Sequence, residues 1–207
     1  MPDAGKITQL LLKKYPSPKI ALVFETPLDL LVATILSAQC TDKRVNIVTA
    51  VLFRKYRKPE DYASAKPEIF ETELNSINYY KNKARMIIQC SEKLIEDFHG
   101  KVPGTLEELV TLPGIGRKTA NVILGGAFGR QAIPVDTHVL RVSNRLGLAH
   151  SDKPDKVEQE LMKRISRDKW TRFSRAIVLH GRETCKARKP LCPECILLKE
   201  CNWPEKS

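Results

Sequence analysis

A lysine opening one helix and a carboxylate opening the next are the groups in this sequence that could do nucleophilic chemistry. The lysine lies in Leu112-Pro113-Gly114-Ile115-Gly116-Arg117-Lys118-Thr119-Ala120 and the carboxylate in Val135-Asp136-Thr137-His138. Lys118 falls in the first turn of a helix that should start near Gly116, where the positive end of the macrodipole and the adjacent Arg117 both disfavour the ammonium form. A neutral amine can attack a sugar carbon and form a Schiff base. A solvated lysine making a phosphate contact fits the same position. Asp136 sits at the natural N-cap of the following helix, Thr137 to Leu146, where it could satisfy backbone donors and do nothing else. If the two helix N-termini converge, the carboxylate stands beside an amine that must lose a proton, which is a nucleophile with its base.

The same stretch offers an anion site. Thr105 and Glu108 form a capping-box pattern that starts a short helix, and the Leu112-Pro113-Gly114 turn ends it. Gly114 and Gly116 are expected to turn the backbone through positive φ and leave N–H groups facing outward, a surface suited to phosphate oxygens. Ala120, Ile123 and Leu124 share one face of the next helix, so the hairpin is anchored while its tip stays wet. An ordinary helical corner with a glycine cap has the same sequence signal.

A third group is cysteine. Cys185, Cys192, Cys195 and Cys201 follow C-x6-C-x2-C-x5-C. Four thiolates suggest a metal, and since zinc ribbons usually carry two C-x2-C knuckles where this loop has one, a [4Fe-4S] cluster is favoured over zinc. Between the first two cysteines, Lys186, Arg188 and Lys189 would be presented to phosphates by a pinned loop. Cys40 and Cys90 stand apart and read as buried free thiols.

These groups need a scaffold. The chain has 207 residues, 42% of them hydrophobic, with 35 Lys and Arg against 24 Asp and Glu and a net charge of +11 spread along its length. That is enough chain for one large or two small domains, with an electrostatic footprint for nucleic acid. No run approaches a membrane span and the N-terminus has no signal-peptide core, so a cytoplasmic protein without a membrane partner is expected. The elements read as helices throughout: Lys6 to Tyr15; Leu28 to Gln39 after Thr26-Pro27; Asp42 to Tyr56 after Thr41; short helices at Pro59 and Pro67; Asn82 to His99 closed by Gly100; then the hairpin, Thr137 to Leu146, Lys156 to Ile165 and Arg172 to His180. Nothing alternates with a strand's period. The class is all-α.

Taken together, Leu36-Ser37-Ala38-Gln39, Leu112 to Ala120, Val135-Asp136-Thr137-His138 and the four-cysteine loop resemble the endonuclease III family of helix-hairpin-helix DNA glycosylases, in family order and spacing over essentially the whole chain. The resemblance implies two helical domains flanking a DNA-binding cleft: a six-helix domain over residues 20 to 130, and an iron-sulfur cluster domain of residues 1 to 19 and 131 to 207. It implies a monomer acting on double-stranded DNA that holds a damaged base or abasic site, in the cytoplasm or on the nucleoid of a prokaryote.

The implied chemistry is removal of oxidised pyrimidines. Lys118 attacks C1′, Asp136 assists by taking a proton or steadying charge, and a Schiff base cuts the strand 3′ to the lesion after the nucleotide is flipped out. Gly114, Gly116, Arg117, Thr119 and His138 become DNA contacts, as do Lys186, Arg188 and Lys189. Gln39, read as the end of an apolar helix, matches the residue that fills the vacated gap. Ile77 to Ala84 matches a second intercalating loop, but where some relatives carry Gly-Leu this chain has Asn78-Tyr79, so Tyr79 would supply the wedge by stacking. Two rivals are a mismatch glycosylase of the same superfamily and a non-catalytic DNA-binding iron-sulfur module.

Overall fold

The computed structural model describes residues 2–206; Met1 and Ser207, the outer ends of the expected cluster domain, lie outside the described residues. Among the described residues there are helices and no strand, the all-α class that cap and period signals indicate. The helices are α1 (Ala4–Lys14), α2 (Pro27–Ser37), α3 (Asp42–Lys55), α4 (Pro59–Ala63), α5 (Pro67–Glu73), α6 (Tyr80–Phe98), α7 (Leu106–Leu109), α8 (Arg117–Ala127), α9 (Thr137–Leu146), α10 (Pro154–Arg164) and α11 (Trp170–Glu183). They fall into two compact units, one of Ile20–Gly129 and one joining the N-terminal segment through Lys19 to the C-terminal part of the chain from Arg130 onward.

In the first unit α2 is the central element. It starts at a capping box, with Thr26 accepting from the Asp29 amide at 3.1 Å and Asp29 accepting from the Thr26 amide at 2.9 Å, and Pro27 occupies the first helical position. Leu30, Leu31, Val32, Ala33, Ile35 and Leu36 are all buried, because α2 is covered by α3, α6 and α8. α8 comes close enough to α2 that a Cβ on Gly126 would lie 2.5 Å from Leu30 Cδ2. The buried face of α8, Ala120, Ile123 and Leu124, holds the hairpin that precedes it. Truncating Ile123 to alanine in such a site costs roughly 2–5 kcal/mol.

In the second unit α11 packs on both α1 and α9 around Ile7, Leu11, Val139, Val142, Leu146, Phe173 and Ile177. Tyr15 Oη donates to Glu183 Oε2 at 2.7 Å and Lys14 Nζ donates to Thr184 Oγ1 at 3.2 Å. The N-terminal helix is thereby tied to the end of α11, where the cysteine loop begins.

Several boundaries differ from the sequence expectation. α1 starts at Ala4, because Asp3 accepts from the Lys6 amide at 3.0 Å. α2 stops at Ser37, leaving Gln39 outside it in a left-handed turn with φ 53°. α6 starts at Tyr80, two residues early, behind a left-handed Tyr79. α10 opens at Pro154, at N1, and α11 extends to Trp170 and Glu183. Cys90 is buried as expected, but Cys40 is only half-buried.

Candidate active site and cysteine loop

The hairpin tip is built as an open helix N-terminus. Thr105 caps α7 by accepting from the Glu108 amide at 3.3 Å, and its hydroxyl donates to Glu108 Oε2 at 2.5 Å, so the reciprocal link of the capping box runs to the hydroxyl. Gly114 has φ 79°, and a Cβ there would meet Met86 Sδ at 3.3 Å. Gly116 does not use positive φ: it is extended, with φ −89° and ψ 173°, and serves as the N-cap of α8. Having no side chain, it leaves the first amides of α8 without a side-chain cap, and the first turn of α8 contains no acid. Lys118 is exposed in that turn, between half-buried Arg117 and Thr119, with Gly114 and Gly116 also exposed.

Asp136 is the N-cap of α9. Its Oδ1 accepts from the amides of His138 and Val139, both at 2.8 Å, and its Oδ2 lies 3.2 Å from His138 Nδ1. The carboxylate is half-buried and held by three groups, so its orientation is fixed by the backbone of its own helix. Lys118 and Asp136 head helices of different units.

Gln39 and Tyr79 are far apart in sequence but share one construction. Both are exposed, non-glycine residues in the left-handed region, with φ 53° and 58°. Asn78 Nδ2 donates to the Gln39 carbonyl at 2.6 Å, joining the two turns. Tyr79 is 64% exposed, a large aromatic residue left open to solvent and available for stacking.

Cys185, Cys192, Cys195 and Cys201 line one cavity, together with Arg145, Leu146, His180, Pro190, Leu191, Leu198, Trp203 and others. Two short turns, Cys192–Glu194 and Leu198–Glu200, carry the chain around it. Among the described residues no three His, Cys, Asp or Glu converge as ligands of a single metal ion. Burial first, and then the thiols of Cys185, Cys201 and Cys192, push the Cys195 thiol up.

Two arginines on one face of α9, missed in the sequence, pin the loop. Arg141 Nη2 donates to the carbonyls of Gly181 at 3.0 Å and Cys185 at 2.9 Å. Arg145 donates to the Lys186 carbonyl at 2.8 Å and the Ala187 carbonyl at 3.1 Å, lies 3.5 Å from Cys185 Sγ, and stacks 3.9 Å from the Trp203 ring centroid. Their i, i+4 spacing was the available signal. Lys186, Arg188 and Lys189 are left exposed on the pinned loop.

Residues 32–167 match the HhH-GPD superfamily of base excision DNA repair proteins. Endonuclease III of Synechocystis sp. is 48% identical over 96% of this chain and 91% of its own length, and endonuclease III of Bacillus subtilis is 46% identical over 93% and 88%. The chain belongs to the endonuclease III family. A solved structure of a trapped covalent endonuclease III–DNA intermediate aligns with a TM-score of 0.92 at 45% identity, covering 98% of this chain and 97% of that one. A thermostable thymine-DNA glycosylase, 22% identical, has the same fold at a TM-score of 0.90. Membership in endonuclease III makes this chain a base-excision DNA glycosylase and AP lyase. No helix among the described residues is long and apolar enough to cross a membrane.

Proposed function

We propose that this enzyme removes oxidised pyrimidines, such as thymine glycol, from duplex DNA and cuts the strand through a Schiff base on Lys118. The observation that carries the reading is the position of Lys118, exposed in the first turn of a helix whose N-cap is a glycine and whose first turn has no acid. The amine there faces no partner carboxylate of its own helix, and the bare amides around it suit a phosphate flanking the target sugar.

In the reaction the Lys118 nitrogen bonds to C1′ as the glycosidic bond breaks, and the base leaves with the bonding electrons and a proton. Asp136 accepts the proton that the lysine must lose, or balances the charge that grows on the sugar. Opening of the sugar ring gives an iminium at C1′. Loss of a C2′ proton then breaks the C3′–O bond and releases the 3′ phosphate. The relative trapped as a covalent DNA intermediate supports this route, since its chemistry passes through an enzyme–DNA bond.

Gln39 and Tyr79 fill the space left by the flipped nucleotide, Gly114, Gly116, Arg117, Thr119 and His138 hold the strand, and Lys186, Arg188 and Lys189 contact phosphates. The four cysteines hold a [4Fe-4S] cluster. All four cysteines line one cavity, and Arg145 and Lys206 at its wall would offset the negative charge of their thiolates around the cluster. Its part is to fix the basic loop. With DNA as substrate the enzyme works as a cytoplasmic or nucleoid-associated monomer.

Borohydride trapping on duplexes carrying thymine glycol, an abasic site or no damage tests the assignment. The expected result is a covalent adduct on both modified duplexes that is absent with Lys118→Gln, while that variant still binds them. Undiminished strand cleavage by Lys118→Gln overturns it.

A further inference from the structure

Lys83 is a lysine with only 5% of its surface exposed, and burial lowers its pKa. Its Nζ donates to the Leu36 carbonyl at 2.8 Å and to the Ala38 carbonyl at 2.6 Å. These carbonyls lie at the C-terminus of α2, where a helix has no internal donors left and where a cation is electrostatically favoured. α2 has no basic residue in its own last turn, so the cation comes from α6. The same residue's backbone amide donates to the Tyr79 carbonyl at 3.1 Å. One residue therefore holds the turn before Gln39 through its side chain and the turn at Tyr79 through its backbone. Asn78, bonded to the Gln39 carbonyl, closes the ring.

Both turns need holding. Gln39 and Tyr79 are L-residues in left-handed backbone, a conformation that persists only when neighbours over-determine it. Helix α2 could otherwise run on through Ala38 and Gln39, which would rotate the Gln39 side chain away from its present position.

We propose that Lys83 is a positioning residue that locks the Gln39 and Tyr79 turns into a single two-pronged wedge, so that both side chains enter the duplex together when a nucleotide is flipped. This rests on the reading of Gln39 and Tyr79 as gap-filling residues. Lysine suits the role because a long stem can be buried while its ammonium supplies several donors, here to the Leu36 and Ala38 carbonyls.

The test measures single-turnover excision from a thymine-glycol duplex in a mutant cycle, with thermal melting checked for every variant. Lys83→Met keeps the stem and removes the donors. It should slow excision about tenfold, as a displacement of positioning groups does. Adding Gln39→Ala or Tyr79→Ala to it should then cost less than about twofold, although each alone slows the native enzyme severalfold, because prongs already displaced have little left to lose. Losses that multiply, or a Lys83→Met enzyme as fast as native, overturn the proposal. If Gln39→Ala and Tyr79→Ala are each without effect in the native enzyme, the gap-filling reading fails instead. Should Lys83→Met not fold, Asn78→Ala replaces it in the same cycle. It cuts only the exposed bond between the turns, and the same non-multiplying pattern is required.

Discussion

Asp136 is bonded to His138 twice, through the His138 amide at 2.8 Å and through Nδ1 at 3.2 Å, while the same Oδ1 also takes the Val139 amide at 2.8 Å. A carboxylate so held has two separable duties, capping α9 and carrying charge. Asn keeps an oxygen in the capping position, so Asp136→Asn should preserve most of the cap, whereas Asp136→Ala should lose about 1 kcal/mol of stability. If the charge serves the reaction, Asp136→Asn lowers turnover by about 10²-fold or more with damaged-DNA binding little changed. Equal loss of turnover and binding, with melting lowered as far as in Asp136→Ala, identifies a cap and nothing else.

Helix starts were legible in this sequence because each is written locally. Thr26 with Pro27, Thr41, Pro59, Pro67, Thr105 and Asp136 all stand at the N-termini they signal. The end of α2 was not legible, because the donors to its last carbonyls come from Lys83, some 45 residues further on, and the Gln39 carbonyl beyond it is taken by Asn78. Tyr79 misled for a related reason: its left-handed backbone resets the start of α6, and no glycine announces it. Gly116 was read as a positive-φ residue but is extended; its glycine matters through the missing side chain at the N-cap. The four cysteines could be grouped by spacing alone, but the clamp that Arg141 and Arg145 place on their loop depends on α9 packing against α11, which no local pattern states.

Arg145 should control the order of the basic loop. Replacing it with alanine removes two hydrogen bonds to the loop carbonyls and the stacking on Trp203, together worth roughly 1–2 kcal/mol at a partly exposed site. Local opening then becomes about tenfold more frequent, and trypsin should cut after Lys186 and Arg188 about tenfold faster while global melting changes little. Unchanged cleavage at these sites would show that the loop is held by other groups.

Lys186, Arg188 and Lys189 are exposed on that loop. Exchanging all three for alanine should weaken damaged-DNA binding and reduce the slope of log K against log salt by about 0.9 for each phosphate no longer neutralised. A weaker affinity with an unchanged slope would take the loop out of the phosphate interface and point to a change in the fold around it.

Cys90 offers a test of the first unit's core that is independent of DNA. Its thiol is fully buried on α6, and burial pushes it up to about 12 from an ordinary 9.0. The unfolded chain thus gives up this proton at lower pH than the folded one, so the contribution of the neutral thiol is complete below pH 9 and is lost as pH climbs toward 12. At about 1.4 kcal/mol per pH unit the loss reaches roughly 2–3 kcal/mol by about pH 11. Alanine at this position has no proton to lose, and its cavity cost does not depend on pH. The gap in urea-unfolding free energy between the native protein and Cys90→Ala should therefore shrink steadily above the ordinary thiol value of 9.0. A gap that stays constant would mean that the thiol is reached by water in the folded state, and iodoacetamide would then label Cys90 without unfolding.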